Sequence, residues 1–241
     1  MSSQIIYKMN NQDTGARKIF IRRLFDSIVP TYDLLNHILS LGIDVIWRRD
    51  MVARMDRLSD SMVIDLCCGT GNVSGLLRKK GAKKVVSLDF SLEMIRSGKR
   101  KGVLNDPVAG DACLLPFKDN LFDAATIAFG IRNIPDLERF MREVYRVLKP
   151  DGQLLILELI RPENIVVGFF YSFYLMAVLP IIGGLLSGSP IAYRYLSKTI
   201  ATFIHPLDIQ AMLTRSGFGL VTNSQKTFSV ATLMTCRKGH P

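Results

Sequence analysis

The chain has 241 residues and a mass of 27.0 kDa, enough for one large domain with a small appendage but not for two full-sized domains. With 48% hydrophobic and 22% charged residues it is not intrinsically disordered, and 18 Gly with 10 Pro do not make a collagenous or linker-like chain. Subtracting 21 Asp+Glu from 31 Lys+Arg gives +10, which points to an anionic partner, either nucleic acid or a membrane face.

Residues 1–14 are polar and mixed, without the apolar core of a secretory signal or the Arg/Ser-rich look of a transit peptide, so a cytoplasmic and bacterial protein is expected. Phe20, Leu24, Phe25 and Ile28 share one face at helical spacing, which predicts helices over 15–57 with a turn at Pro30. Strands and helices then alternate. Residues 62–67 read as a strand, Gly69-Thr70-Gly71 as a turn, and 72–80 as a helix. Residues 85–89 form a second strand, after which Ser91 caps another helix. A weaker strand is expected over 107–112 and a fourth over 122–129, before Asp136 opens an amphipathic helix through Leu148. Pro150-Asp151-Gly152 reads as a turn and 153–158 as a fifth strand. A helix over 206–216 and strands near 218–224 and 228–236 close the chain. This alternation predicts an α/β fold with a parallel sheet and crossover helices.

One stretch stands apart. No Asp, Glu, Lys or Arg occurs between residues 164 and 193. Roughly 20 apolar residues suffice to cross a bilayer, so the stretch reads as a transmembrane helix, as two short buried helices, or as an apolar lid. Pro180, Gly183, Gly184, Gly188 and Pro190 are expected to break its second half. The cysteines (67, 68, 113 and 236) suggest no bridge framework, and His37, His205 and His240 are too scattered for zinc, so no metal is expected.

In parallel sheets ligands sit at the carboxyl ends of the strands. Here the first strand ends in Asp65-Leu-Cys-Cys-Gly69-Thr70-Gly71, where glycines let the backbone approach a ligand. A dinucleotide fingerprint wants a third glycine where Ser74 stands. Asp89, ending the second strand, can accept from both ribose hydroxyls. Asp111, after the third, can accept from an adenine amino group while Ala112 leaves room for the ring. Together they describe a pocket for a nucleoside without phosphate, although each acid alone also reads as a solvated strand end.

Val-Ile-Asp-Leu-Cys-Cys-Gly-Thr-Gly, Leu-Asp-Phe-Ser, Gly-Asp-Ala and Arg-Val-Leu-Lys-Pro-Asp-Gly, in that order, resemble the class I S-adenosylmethionine-dependent methyltransferases. The run from Phe25 through Tyr32-Asp33, Asn36 and Gly42 to Trp47-Arg48 is similar to the MenG/UbiE quinone C-methyltransferases. So are Phe129-Gly-Ile-Arg132-Asn133-Ile-Pro-Asp136 and Ala192-Tyr-Arg-Tyr-Leu-Ser-Lys-Thr-Ile200. The likeness covers about residues 15–220. It implies a Rossmann-like sheet with an N-terminal helical lid (1–57) and a cofactor-binding domain (58–241) that carries an apolar substrate insert at 162–203. It also implies S-adenosylmethionine as methyl donor, held at Thr70, Asp89, Asp111 and Ala112. The family's serine before the Phe-Gly-Ile-Arg-Asn run is Ala128 here, and Asn72 and Asp151 also depart from the pattern.

The implied substrate is a polyprenyl quinol, a demethylmenaquinol or, alternatively, a benzoquinol of ubiquinone biosynthesis. Methyl transfer to a ring carbon needs an electron-rich, ionised ring. Arg132 is expected to stabilise that phenolate or polarise a water, Asn133 to hold the water or a quinol oxygen, and Tyr32 to bond the second oxygen. Each also has a plain reading: Arg132 pairing with an acid, Asn133 capping a turn, Tyr32 packing. Phe169, Phe170, Phe173, Tyr174, Leu175 and Leu179 are candidates for a tail-binding wall. The basic runs 78–84 and 99–101 are candidates for contact with anionic lipid in a peripheral protein, and a homodimer is a candidate assembly. The rival class is an RNA methyltransferase, prompted by the charge of +10.

Overall fold

A computed structural model describes residues 14–187 and 189–239; the leader reading of 1–13, Gly188 and His240 lie outside the described residues. The sheet orders its strands β3-β2-β1-β4-β5-β7-β6. β1 (Met62–Leu66), β2 (Lys84–Asp89), β3 (Pro107–Ala109), β4 (Phe122–Ala128) and β5 (Leu148–Leu159) run parallel. β7 (Ala231–Lys238) pairs antiparallel with β5, and β6 (Phe218–Lys226) with β7. Parallel neighbours need crossover helices. Preceding β1 are α1 (Thr14–Ile28), α2 (Tyr32–Leu39) and α3 (Ile43–Ala53). α4 (Asn72–Lys79), α5 (Leu92–Arg100) and α6 (Leu137–Val147) make the crossovers. Ser91 and Asp136 cap α5 and α6 by accepting from the N–H groups of Met94 and Arg139.

Both faces of the sheet are covered. Phe122, Phe140, Met141 and Val144 centre one buried cluster, and Trp47, Met51, Leu77 and Leu155 centre the other. β3 stops at Ala109, short of the expected 112, because the Asp111 carboxylate accepts from the Cys113 N–H and turns the chain. Residues 150–152 form a bulge within β5: Phe122 pairs with Leu148, yet Ala124 pairs with Gln153. A Cβ at Gly152 would meet the Lys149 carbonyl at 2.8 Å. β7 begins at 231 rather than 228 because Thr227, Phe228 and Ser229 all take left-handed backbone (φ 42, 54 and 66).

The apolar stretch is neither two short buried helices nor broken at its glycines. α7 (Ile165–Phe173), a π-helical turn (Tyr174–Val178) and α8 (Leu179–Ser187) follow one another directly. Asn164 caps the start, accepting from the N–H groups of Val166 and Val167. Pro180 lacks an N–H and would clash with the carbonyl four residues back, and the π turn widens the helix just before it. Gly183 serves close packing, since a Cβ there would lie 2.3 Å from the Tyr193 ring of α9 (Pro190–Ala201). α10 (Pro206–Arg215) then leads into β6.

Lid and insert form one cap with a shared apolar cluster. Ile21, Leu24, Ile28 and Leu35 pack with Leu175, Leu179, Tyr193 and Ile200. The hydroxyl of Tyr174 donates to the Leu39 carbonyl at 2.6 Å. Residues 165–184 are long and apolar enough to cross a membrane, and only 11% of that window is buried. Phe169, Phe170 and Phe173 point outward, unlike Tyr174, Leu175 and Leu179 of the same candidate wall. A span here would nonetheless part β5 from its sheet partner β7, which pair from Gln153–Arg237 to Leu159–Ala231.

Candidate active site

Strand order reverses between β1 and β4, which opens a crevice at their carboxyl ends. Gly69 (φ 55) and Gly71 (φ 93) both use left-handed backbone, and a Cβ at Gly71 would strike Leu104 at 2.5 Å. The Gly69 N–H donates to Asp89 at 2.7 Å and the Ser91 N–H donates to its other oxygen at 2.8 Å. Burial pushes the Asp89 carboxyl above its ordinary range, against the pull of these backbone donors. Each carboxylate oxygen keeps a lone pair for a ligand diol.

Around Asp89 lies a cavity of about 790 Å³ with its mouth, lined by Gly69, Leu88, Met94, Asp111, Ala112 and Ala128 among others. A carboxylate at its floor and apolar walls beside Ala112 suit the ribose and adenine of S-adenosylmethionine. Asp65 sits below the glycine turn, accepting from Ser74 Oγ at 2.6 Å and Thr126 Oγ1 at 2.9 Å. Its burial raises the carboxyl to about 6.

The lid is tied to this cavity by polar contacts that the sequence reading did not pick out. Lys18 pairs with Asp111 at 2.5 Å, and Ser91 Oγ donates to Asp26 at 2.5 Å. Asp33 accepts from Thr70 Oγ1 at 2.6 Å, Asn72 Nδ2 at 2.8 Å and Lys101 Nζ at 2.6 Å. Thr70 therefore faces Asp33 and lies outside the lining of the main cavity. Burial alone would raise the carboxyls of Asp33 and Asp111, but their lysines and hydrogen-bond donors outweigh it and hold both below the usual range. Lys18, Arg22 and Asp26 recur every four residues along α1, a spacing that signals a polar helical stripe.

A second cavity, about 970 Å³ with its mouth, lies between the cap and the ends of β4 and β5. Phe25, Tyr32, Phe129 and Asn133 line both cavities and so mark their junction. The Phe129 backbone is left-handed (φ 60), held by its N–H bond to the Leu157 carbonyl at 2.7 Å. Arg132 is buried against the wholly buried Glu158; its Nη1 donates to that carboxylate and, at 3.0 Å, to the Phe129 carbonyl. Its Nε is buried without a partner. Burial raises the Glu158 carboxyl, and the Arg132 charge opposes the shift. Glu158 was visible as a lone acid closing the apolar run Leu-Leu-Ile-Leu-Glu.

Asn133 Oδ1 accepts from the Tyr195 hydroxyl at 3.1 Å, which leaves its NH₂ for a ligand. Burial raises the Tyr32 phenol above 10.0, against the charges of Arg48 and Arg132, so it stays a donor at neutral pH. The structure thus brings Tyr32, Arg132 and Asn133 to one cavity and Asp89, Asp111, Ala112 and Gly69 to the adjoining one. Asp65 and Thr70 line a smaller recess beside them. Among the described residues no group of three or more His, Cys, Asp and Glu is placed to hold a metal.

The chain is similar to known proteins in sequence and in fold. The family model described as the ubiE/COQ5 methyltransferase family matches residues 10–238. A demethylmenaquinone methyltransferase of Thermotoga maritima is 43% identical over 219 residues, covering 90% of this chain and 95% of its own. A "ubiquinone/menaquinone biosynthesis C-methyltransferase UbiE" of Geotalea daltonii is 38% identical over 228 residues, covering 90% and 96%. Among solved structures, a SAM-dependent methyltransferase from Thermotoga maritima superposes with TM-score 0.65 at 20% identity, covering 90% of this chain and 99% of its own, a likeness of fold.

Proposed function

The chain belongs to the ubiE/COQ5 methyltransferase family, and on that footing we propose that it methylates a ring carbon of demethylmenaquinol, a polyprenyl naphthoquinol, to give menaquinol. The observation that carries this reading is the junction: an apolar cavity, lined by Arg132 with its unpartnered buried Nε, meets the nucleoside cavity at Tyr32, Phe129 and Asn133. A buried N–H without a partner is costly unless a ligand supplies one. An apolar ring with polar oxygens supplies both halves.

S-adenosylmethionine, when bound, contributes a methyl group already activated by its sulfonium, so the reading needs no metal. Asp89 would hold the ribose hydroxyls and Asp111 the adenine amino group beside Ala112, with Lys18 sharing Asp111 or yielding it. Thr70, Gly69 and Gly71 form the turn above, and Asp65 braces it from below. A quinone ring is electron-poor, so the acceptor is the reduced quinol. Losing a hydroxyl proton to a water enriches the neighbouring carbon, which takes the methyl as its bond to sulfur breaks and then gives up its own hydrogen to the ring oxygen. A free phenol holds the first proton to a pKa of about 10. Arg132 Nε, donating to that oxygen in a dry cavity, lowers the cost of the oxyanion. Asn133 fixes the ring through its NH₂, and Tyr32 donates to the second oxygen.

The prenyl tail would leave past Tyr174, Leu175 and Leu179 toward the outward face of α7 and the π turn, where Ile165, Val166, Phe169, Phe170, Phe173 and Met176 are exposed. That ridge is our candidate for peripheral docking on the cytoplasmic face of a membrane. The basic run at 78–84 joins α4 to β2, at the amino ends of the strands, and so lies away from this mouth.

Purified protein with labelled S-adenosylmethionine, offered a demethylnaphthoquinol, a demethylbenzoquinol and RNA, tests the reading. Label is expected on the naphthoquinol ring. Preference for the benzoquinol would move the chain to ubiquinone biosynthesis, which the name of the Geotalea relative also includes. Label only on RNA would end the quinol reading.

A further inference from the structure

The substrate cavity carries a second guanidinium that this mechanism does not use. Arg48 of α3 lines the second cavity, as Arg132 does, and also lines the small recess beside Gly69 and Thr70. It is buried, and among the described residues its hydrogen bond goes to the equally buried Asp44. Asp44 is held in turn by Ser40 Oγ at 2.7 Å, with the exposed His37 ring 3.7 Å away. The Arg48 guanidinium lies 5.0 Å from the centre of the Phe129 ring, one of the residues at the junction of the two cavities. The arrangement parallels Arg132, a buried arginine oriented by the buried Glu158. Tyr32 lines the same cavity as both arginines, and both charges oppose the rise of its phenol. A guanidinium offers several donors in a rigid fork, and a carboxylate partner on one side aims the remainder.

A reduced quinone ring has two oxygens on opposite edges, and Arg132 serves only one. Resting on the quinol reading above, we propose that Arg48 is the second oxygen-binding cation of the substrate cavity. With Tyr32 it holds the ring oxygen opposite the one held by Arg132. Asp44 is then a positioning residue that fixes the Arg48 fork, and Phe129 is the plate on which that fork lies. Two cations flanking one ring favour a ring that carries negative charge over its neutral isostere, so the pair selects the ionised quinol.

Binding of two probes separates this role from a structural one. The anion of 2-hydroxy-1,4-naphthoquinone and the uncharged 2-methyl-1,4-naphthoquinone have nearly the same shape, and both are followed by absorbance without turnover. Arg48→Ala would strand Asp44, so the variants are Arg48→Lys and the paired Arg48→Met/Asp44→Leu, which removes both charges together. Cofactor binding and melting temperature establish that each is folded. In the paired variant the anion's Kd is expected to rise about tenfold or more, with the neutral ligand within about twofold and Arg48→Lys between the two. A merely structural role would move both ligands alike, or neither, and either result overturns the proposal while leaving the quinol reading intact. Wild-type protein that binds neither probe and labels no quinol overturns both.

Discussion

Arg132 and Glu158 form a buried pair in which the carboxylate uses one oxygen on the Arg132 side chain and the Leu159 N–H, and the other on the Arg132 backbone N–H at 3.3 Å. The guanidinium therefore cannot swing away, and its free Nε keeps one direction. Arg132→Lys retains a charge but loses that direction. Methyl transfer is expected to fall about 10²-fold, the usual cost of losing one oxyanion donor. Cofactor affinity should hold within about twofold, because Arg132 lines only the second cavity. Rate constants and cofactor Kd, measured side by side, check both. Asp65 makes a different prediction. Its carboxyl is raised to about 6 in the fold against an ordinary 3.8, so the folded state takes up a proton before the unfolded chain does. Stability from this residue is therefore gained as pH falls from 7 toward 4, by up to ~3 kcal/mol. Melting temperatures of wild type and Asp65→Asn across that range should converge at the acid end if the variant lacks this gain.

Among the elements, α1 and α2 reach the Asp89 cavity and its glycine turn through side chains. Asp33 joins the lid to the Thr70 turn and to Lys101 after α5, so one carboxylate closes three segments. Asp33→Ala is expected to weaken cofactor binding about tenfold and to speed amide exchange in α1 and α2, while the sheet keeps its protection. Unchanged exchange would mean that apolar packing alone holds the lid. The main strands and crossover helices were legible in the sequence because periodicity and caps are local, as Ser91 and Asp136 show. The last hairpin was less legible, because three successive left-handed residues without glycine give no local signal. The apolar insert was legible, but the break expected in its second half was not there, for a related reason: Pro180 and Gly183 look like helix breakers until a π turn and the Tyr193 ring explain them. Candidate site residues could be proposed from strand ends and motifs. The clamps of Lys18, Asp26 and Asp33 could not, since each partner is distant in sequence.

The whole molecule presents two unlike ends. The amino ends of the strands face a basic, solvated edge near 78–84, while the carboxyl ends open under a cap whose outer helix exposes Phe169, Phe170 and Phe173. Buried phenylalanines gain roughly 1.5–3 kcal/mol each on leaving water. Changing all three to serine should lower co-sedimentation with anionic phospholipid vesicles at least tenfold, yet spare turnover of a quinol with a short tail. Loss of a dimer in solution, with vesicle binding unchanged, would instead assign the ridge to a second copy of the chain. The second cavity is built for an electron-rich ring. The most direct test is anaerobic transfer of labelled methyl to the same demethylnaphthoquinone offered in reduced and in oxidised form. Label is predicted on the ring of the reduced form alone, with the signal nearly lost in Arg132→Lys. Equal label on the oxidised ring, or label unaffected by Arg132→Lys, would contradict the account.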